Sequence, residues 1–106
     1  MEKVPAGRAA LGAVAPTAPD HTHPVRFADV WSREDKLPAR DRSIVTVTAL
    51  MASGIIDSSL GFHIEMAKKN GVTAEEMTEV LTHAAFYVGW PKAWAAFRAA
   101  KEAYEG

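Results

Sequence analysis

The chain reads as an all-α protein of about five or six helices joined by short connections. Three observations carry this. Met77, Val80, Leu81, Ala84, Ala85 and Val88 recur at i, i+3, i+4, i+7, i+8 and i+11, the spacing of one buried helix face. Thr73 followed three residues later by Glu76 is a capping box that opens this helix. Gly54, Asn70-Gly71 and Gly89-Trp90-Pro91 supply stop signals at intervals suited to helices of ordinary length.

The elements follow in order. Ala6 to Val14 is compatible with a short helix that Gly7 and Gly12 weaken. Pro16, Pro19 and Pro24 then impose an irregular stretch. Residues 1–24 are read as an N-terminal arm with a short helix, either packed on a neighbouring subunit or loosely held. The rest, 25–106, is read as one helical domain. Val25 to Trp31 gathers Val25, Phe27, Val30 and Trp31 into a short helix, and Ser32 to Leu37 is a polar connection. Pro38 stands at the first turn of the next helix.

Ala39 to Ser53 is locally ambiguous. Ile44-Val45-Thr46-Val47-Thr48 is β-branched and passes for a strand. The apolar run continues through Ala49, Leu50, Met51 and Ala52, which is long for a strand and suits a buried helix. Ile44, Val47, Thr48 and Met51 then share a face, and Gly54 closes the helix. Asp57 or Ser58 caps the next helix, which ends near Asn70. After Pro91 the last helix carries Trp94, Phe97, Lys101 and Tyr104 on one side. Its alanines, Ala93, Ala96, Ala99, Ala100 and Ala103, permit close backbone approach.

Composition excludes several function classes. The 106 residues suit one domain, and 48% hydrophobic content argues for folding over disorder. A chain this short is commonly helped by oligomerisation. Net charge is −1, so no nucleic-acid partner is expected. No apolar run approaches the roughly 20 residues of a membrane span, and no signal peptide is read at Met1-Glu2-Lys3. The cytoplasm is the expected location. Cysteine is absent, so no disulfide, thiolate nucleophile or thiolate metal site is available.

The most informative polar residue is His63, in Asp57-Ser58-Ser59-Leu60-Gly61-Phe62-His63-Ile64-Glu65-Met66-Ala67. Helical spacing puts it on the face of Leu60, Ile64 and Ala67, expected to be apolar and inward. An imidazole there must find a hydrogen-bond partner or do chemistry. The residues alone leave both readings open, a satisfied core histidine and an acid–base group. His83 and Tyr87, at i and i+4, can meet as a surface, interface or functional pair. Arg40 and Arg42 flank Asp41; either can hold a carboxylate or pair with Asp41 or Glu34. Ser58 and Ser59 read as caps before ligands. His63 and Glu65, at i and i+2, diverge on a helix, so no metal site is expected. Trp31, Trp90 and Trp94 read as core or interface before ligand box.

Several blocks in fixed order carry a family likeness. They are Asp29-Val30-Trp31; Arg40-Asp41-Arg42-Ser43-Ile44-Val45-Thr46-Val47; Phe62-His63-Ile64; Lys69-Asn70-Gly71-Val72-Thr73-Ala74-Glu75-Glu76; and Ala85-Phe86-Tyr87-Val88-Gly89-Trp90-Pro91. From about Phe27 to Tyr104, roughly three quarters of its length, the chain resembles the carboxymuconolactone decarboxylase family, which also holds the alkylhydroperoxidase-type proteins. The resemblance implies a helical fold around an antiparallel helical hairpin and an obligate homo-oligomer, a trimer or hexamer. It resolves the ambiguous segment as helix.

The resemblance also bears on chemistry. The peroxidase-type branch uses Cys-x-x-Cys with a histidine four residues on; the matching positions here are Ile56 and Ser59, so thiol peroxidase activity is excluded. The decarboxylase branch needs neither thiol nor cofactor. It implies a small carboxylated lactone-like substrate, with His63 as general acid, Arg42 holding a carboxylate and Tyr87 donating a hydrogen bond. Ser59 and Trp90 are the remaining candidate substrate contacts. Two departures stand out. Acidic residues precede the histidine in that branch, where this chain has Ser58 and Ser59. The family's Tyr-Cys-Gly-Val-Pro junction is Tyr87-Val88-Gly89-Trp90-Pro91 here, with a much larger side chain at Trp90. The sequence therefore carries two expectations: a cofactor-independent lyase, and a non-catalytic oligomeric binding or scaffold protein of the same fold.

Overall fold

A computed structural model describes residues 24–106. The helix expected at Ala6–Val14 lies outside the described residues, as does the N-terminal arm except for Pro24. The described residues form five helices and no strand: α1 (Pro24–Trp31), α2 (Ala39–Ala52), α3 (Ser58–Lys69), α4 (Ala74–Val88) and α5 (Trp90–Glu105). The chain divides into two compact units, Met1–Leu37 and Pro38–Gly106.

In the first unit, α1 sets Phe27 and Trp31 one turn apart, with ring centroids 6.4 Å from each other and planes tilted by 48°. The Ser32 backbone N–H bonds the Ala28 carbonyl at 3.0 Å, and its hydroxyl donates to the Asp29 carbonyl at 2.8 Å. The hydroxyl thereby satisfies a helix-end carbonyl as the chain turns away.

In the second unit, the β-branched run of α2 is helical throughout. Its tertiary surroundings override local propensity: Val47 and Met51 are wholly buried, against Leu60, Ile64 and Ala67 of α3 and Met77 and Leu81 of α4 in one core. Each such aliphatic side chain contributes about 1.5–3 kcal/mol by leaving water. Asp57 caps α3, accepting the Ser59 backbone N–H at 2.9 Å. The Thr73 hydroxyl accepts the Glu76 N–H at 3.0 Å while the Glu76 carboxylate accepts the Thr73 N–H at 2.9 Å, the expected capping box.

The pairing of helices follows from long-range bonds. Asn70, just after α3, donates to Ser43 near the start of α2 at 2.8 Å, so α2 and α3 run antiparallel. Lys92 at the start of α5 donates to the Ala52 carbonyl that ends α2, at 3.1 Å. Lys68 donates to the Ala103 carbonyl at 3.1 Å, and the Tyr104 hydroxyl donates to the Val72 carbonyl at 2.7 Å. The end of α5 is therefore anchored where α3 turns into α4. Ala93, Ala96 and Ala103 are buried, so α5 approaches α3 and α4 closely with small side chains at the contact. Gly89 has φ +100°, a value that strongly favours glycine and allows α4 to end and α5 to start without a linker.

Candidate functional site

His63 lies beside the buried stripe of α3, not within it. Leu60, Ile64 and Ala67 are wholly buried, whereas His63 is half-buried. Three residues after Leu60 the helix has turned to about 60° short of a full circle, which puts the imidazole at the edge. The inward face expected for it is thus corrected: the ring borders the core. The ring meets Phe62 edge-on, with centroids 5.1 Å apart. Among the described residues nothing hydrogen-bonds the imidazole. Ser59, His63, Met66 and Asn70 succeed one another at helical spacing. Asn70, the cap at the end of this stripe, bonds Ser43 of α2.

Arg42 sits half-buried in the first turn of α2, its backbone N–H bonded to the Pro38 carbonyl at 3.0 Å. Arg40 is committed to ion pairing. Its guanidinium meets Asp41 at 3.0 Å and also donates to Glu76, joining the start of α2 to the capping box of α4. The guanidinium is held above its ordinary pKa chiefly by the Glu76 hydrogen bond. The Glu76 carboxyl is held below its ordinary value, first by the Thr73 backbone N–H and then by Arg40. A carboxylate placed near Arg40 would have to displace one of these partners.

Tyr87 pairs with His83 as its spacing predicts. The rings stack with centroids 5.3 Å apart and planes at 30°. Both line a groove of about 570 Å³ between α2 and α4. Ile44 and Thr48 of α2 and Val80, Ala84 and Val88 of α4 make its apolar floor, and Arg40, Glu76 and Glu79 stand along it. Trp90 belongs to another feature. Phe86, Trp90, Trp94 and Phe97 form a ladder of rings with successive centroids 5.6, 6.0 and 5.8 Å apart. Phe86 is 74% exposed and Trp94 56%. A wider depression of about 850 Å³ lies between the start of α3 and α5, with Ser58, Gly61, Arg98 and Glu102 in its wall.

The five candidate residues therefore fall in four places: Ser59 and His63 on α3, Arg42 at the head of α2, Tyr87 in the groove beside His83, and Trp90 in the aromatic ladder. His63 lines neither of these two cavities. The sequence reading missed Glu79, although its spacing to His83 and Tyr87, at i, i+4 and i+8, was available as a signal. Among the described residues no three His, Asp or Glu side chains converge as a metal-binding group would.

Fold and site define a small, cysteine-free helical protein that carries imidazoles on its surface and beside its core, with an exposed aromatic face. The family model of the carboxymuconolactone decarboxylase family matches residues 16–102. The chain belongs to that family. It is 40% identical over 82 residues to a protein of Acinetobacter baylyi (strain ATCC 33305 / BD413 / ADP1) named 4-carboxymuconolactone decarboxylase. The match covers 76% of this chain and 60% of that relative, so the chain spans about three fifths of the relative's length. No helix among the described residues is long and apolar enough to cross a membrane.

Proposed function

We propose that the chain is a cofactor-independent carboxy-lyase acting on a small carboxylated, lactone-like or enolisable molecule, as a homo-oligomer in the cytoplasm. The observation that carries this is the 40% identity to a protein named 4-carboxymuconolactone decarboxylase, across a stretch that includes most of this chain. His63 is the general acid. The bond between the substrate carbon and its carboxylate breaks, and its electron pair passes into the conjugated carbonyl as an enolate. Carbon dioxide leaves, and the imidazolium gives its proton to carbon. The neutral imidazole regains a proton from solvent. A half-buried imidazole with no hydrogen bond among the described residues is available for this exchange. Arg42 holds a carboxylate, Tyr87 donates to the developing oxyanion, and Ser59 and Trp90 shape the site; because these residues stand apart on one chain, the proposal has them converge between copies in the oligomer.

The exposed Phe86–Trp90–Trp94 face supports assembly, because a contiguous aromatic surface of this kind gains by being covered. A trimer or hexamer is the assembly proposed. A second reading, an oligomeric binding or scaffold protein, is favoured by the absence of cysteine and by Ser58 and Ser59 standing where the decarboxylase branch carries acidic residues.

The deciding experiment measures carbon dioxide release and ultraviolet absorbance change on 4-carboxymuconolactone, with wild type and His63→Ala compared. Turnover that depends on His63 supports the lyase. No turnover from a folded oligomer overturns it in favour of the binding protein.

A further inference from the structure

The groove between α2 and α4 is built unlike a site for a carboxylate. Its cation, Arg40, is already shared between Asp41 and Glu76. Glu76 in turn spends its other oxygen on the Thr73 N–H. That leaves Glu79, which lines the groove and has no ion-pair partner among the described residues. Along the groove one guanidinium thus stands against two lining carboxylates, Glu76 and Glu79, while Asp41 draws on the same guanidinium from outside the lining, and the surplus charge is negative.

The rest of the groove is mainly apolar, lined by Ile44, Val80, Ala84 and Val88. Glu79, His83 and Tyr87 occupy successive turns of one face of α4, about 6 Å apart along the axis. His83 and Tyr87 are stacked, and Tyr87 is 79% exposed, so an aromatic face stands open one to two turns from an unpaired carboxylate. Electron-rich ring faces attract cations, and a carboxylate attracts them further. A volume of about 570 Å³ holds a small organic molecule and little more.

We propose that this groove binds a flat, largely apolar amine, with its ring against Tyr87 and His83 and its ammonium group at Glu79. The arrangement suits an arylalkylamine, whose ring and nitrogen are separated by about one helical turn. Tyr87 also has a role in the proposed lyase, where its hydroxyl donates from the rim of the groove; the amine uses its ring face and Glu79, and the lyase's general acid, His63, is not part of this groove. The proposal does not rest on the lyase reading. It survives if the protein has no decarboxylase activity.

The test compares phenethylamine with 3-phenylpropionate, two probes of matched shape and opposite charge. Each is titrated into the full-length chain, with the His83 and Tyr87 resonances observed by nuclear magnetic resonance. The amine is expected to shift these resonances and to bind at least about fivefold more tightly than the acid. Glu79→Gln is expected to lower amine affinity about fivefold while leaving the far-ultraviolet circular dichroism unchanged. Equal or better binding of the acid overturns the proposal. So does an unchanged affinity in Glu79→Gln, or no shift by either probe at about 10 mM. Resonances of Tyr87 that broaden with protein concentration and ignore both probes also overturn it, and assign the groove to contact between copies.

Discussion

The Asn70 side-chain amide donates to the Ser43 hydroxyl across 2.8 Å, from the end of α3 to the first turns of α2. Ser43 is only 2% exposed and is the buried polar residue of this core among the described residues. A buried hydroxyl is tolerated when partnered and costly when not. Asn70→Ala removes the amide and is expected to destabilise the protein by about 1–3 kcal/mol. Ser43→Ala removes the hydroxyl itself and should cost less. The double variant should lose less than the two singles combined. Urea midpoints of the four proteins check this, and additive losses would mean that the bond contributes nothing specific.

Glu76 links two devices, the capping box and the ion pair with Arg40. Its carboxyl pKa is lowered in the folded state, mainly by the Thr73 N–H. A group of this sign contributes stability above its unfolded pKa, and the contribution vanishes as pH falls through the folded value. Thermal stability should therefore decline as the pH drops below the ordinary value of 4.5. Glu76→Gln keeps a side chain able to cap but loses the charge. Its melting temperature should fall less steeply over the same range. Parallel melting curves down to about pH 3 would refute the assignment.

Trp94 is 56% exposed between Trp90 and Phe97 in the aromatic ladder. In a lone chain, replacing it should disturb the core little. If the ladder joins copies of the chain, Trp94→Asp places a charge where apolar surface is covered. Light scattering is then expected to report a trimer or hexamer for the wild type and a smaller species for the variant, with helical content retained. A wild-type monomer at micromolar concentration would remove the assembly from the proposal.

His63→Ala is expected to reduce turnover of a verified substrate by about 10²-fold or more, the range of a lost general acid. Its effect on stability should be small, because the ring is half-buried and meets Phe62 edge-on. His63→Gln should be equally inactive, since an amide cannot deliver the proton. A large thermal shift in His63→Ala with unchanged turnover would assign the residue to structure.

The sequence by itself determined the helices of the second unit and most of their ends. Thr73 and Glu76 marked the start of α4, and Gly54, Gly71 and Gly89, all with positive φ, marked where α2, α3 and α4 stop. Those signals are local: a cap, a staple of apolar spacing or a glycine acts within a few residues, so the chain carries them legibly. The helical state of Ile44–Thr48 was legible only through the length of the apolar run and the family likeness, because β-branched residues contradict it locally. The site was less legible, since convergence depends on how helices rotate and pair. Spacing placed His63 on the inward face with Leu60, Ile64 and Ala67. The packing of α3 against its neighbours decided that the stripe is centred on those three and leaves the imidazole at its edge. Spacing also brought His83 to Tyr87. Only the approach of α2 to α4 turned that pair into one wall of a groove, gave Arg40 to Glu76 across 36 positions, and left Glu79 as the carboxylate without an ion pair.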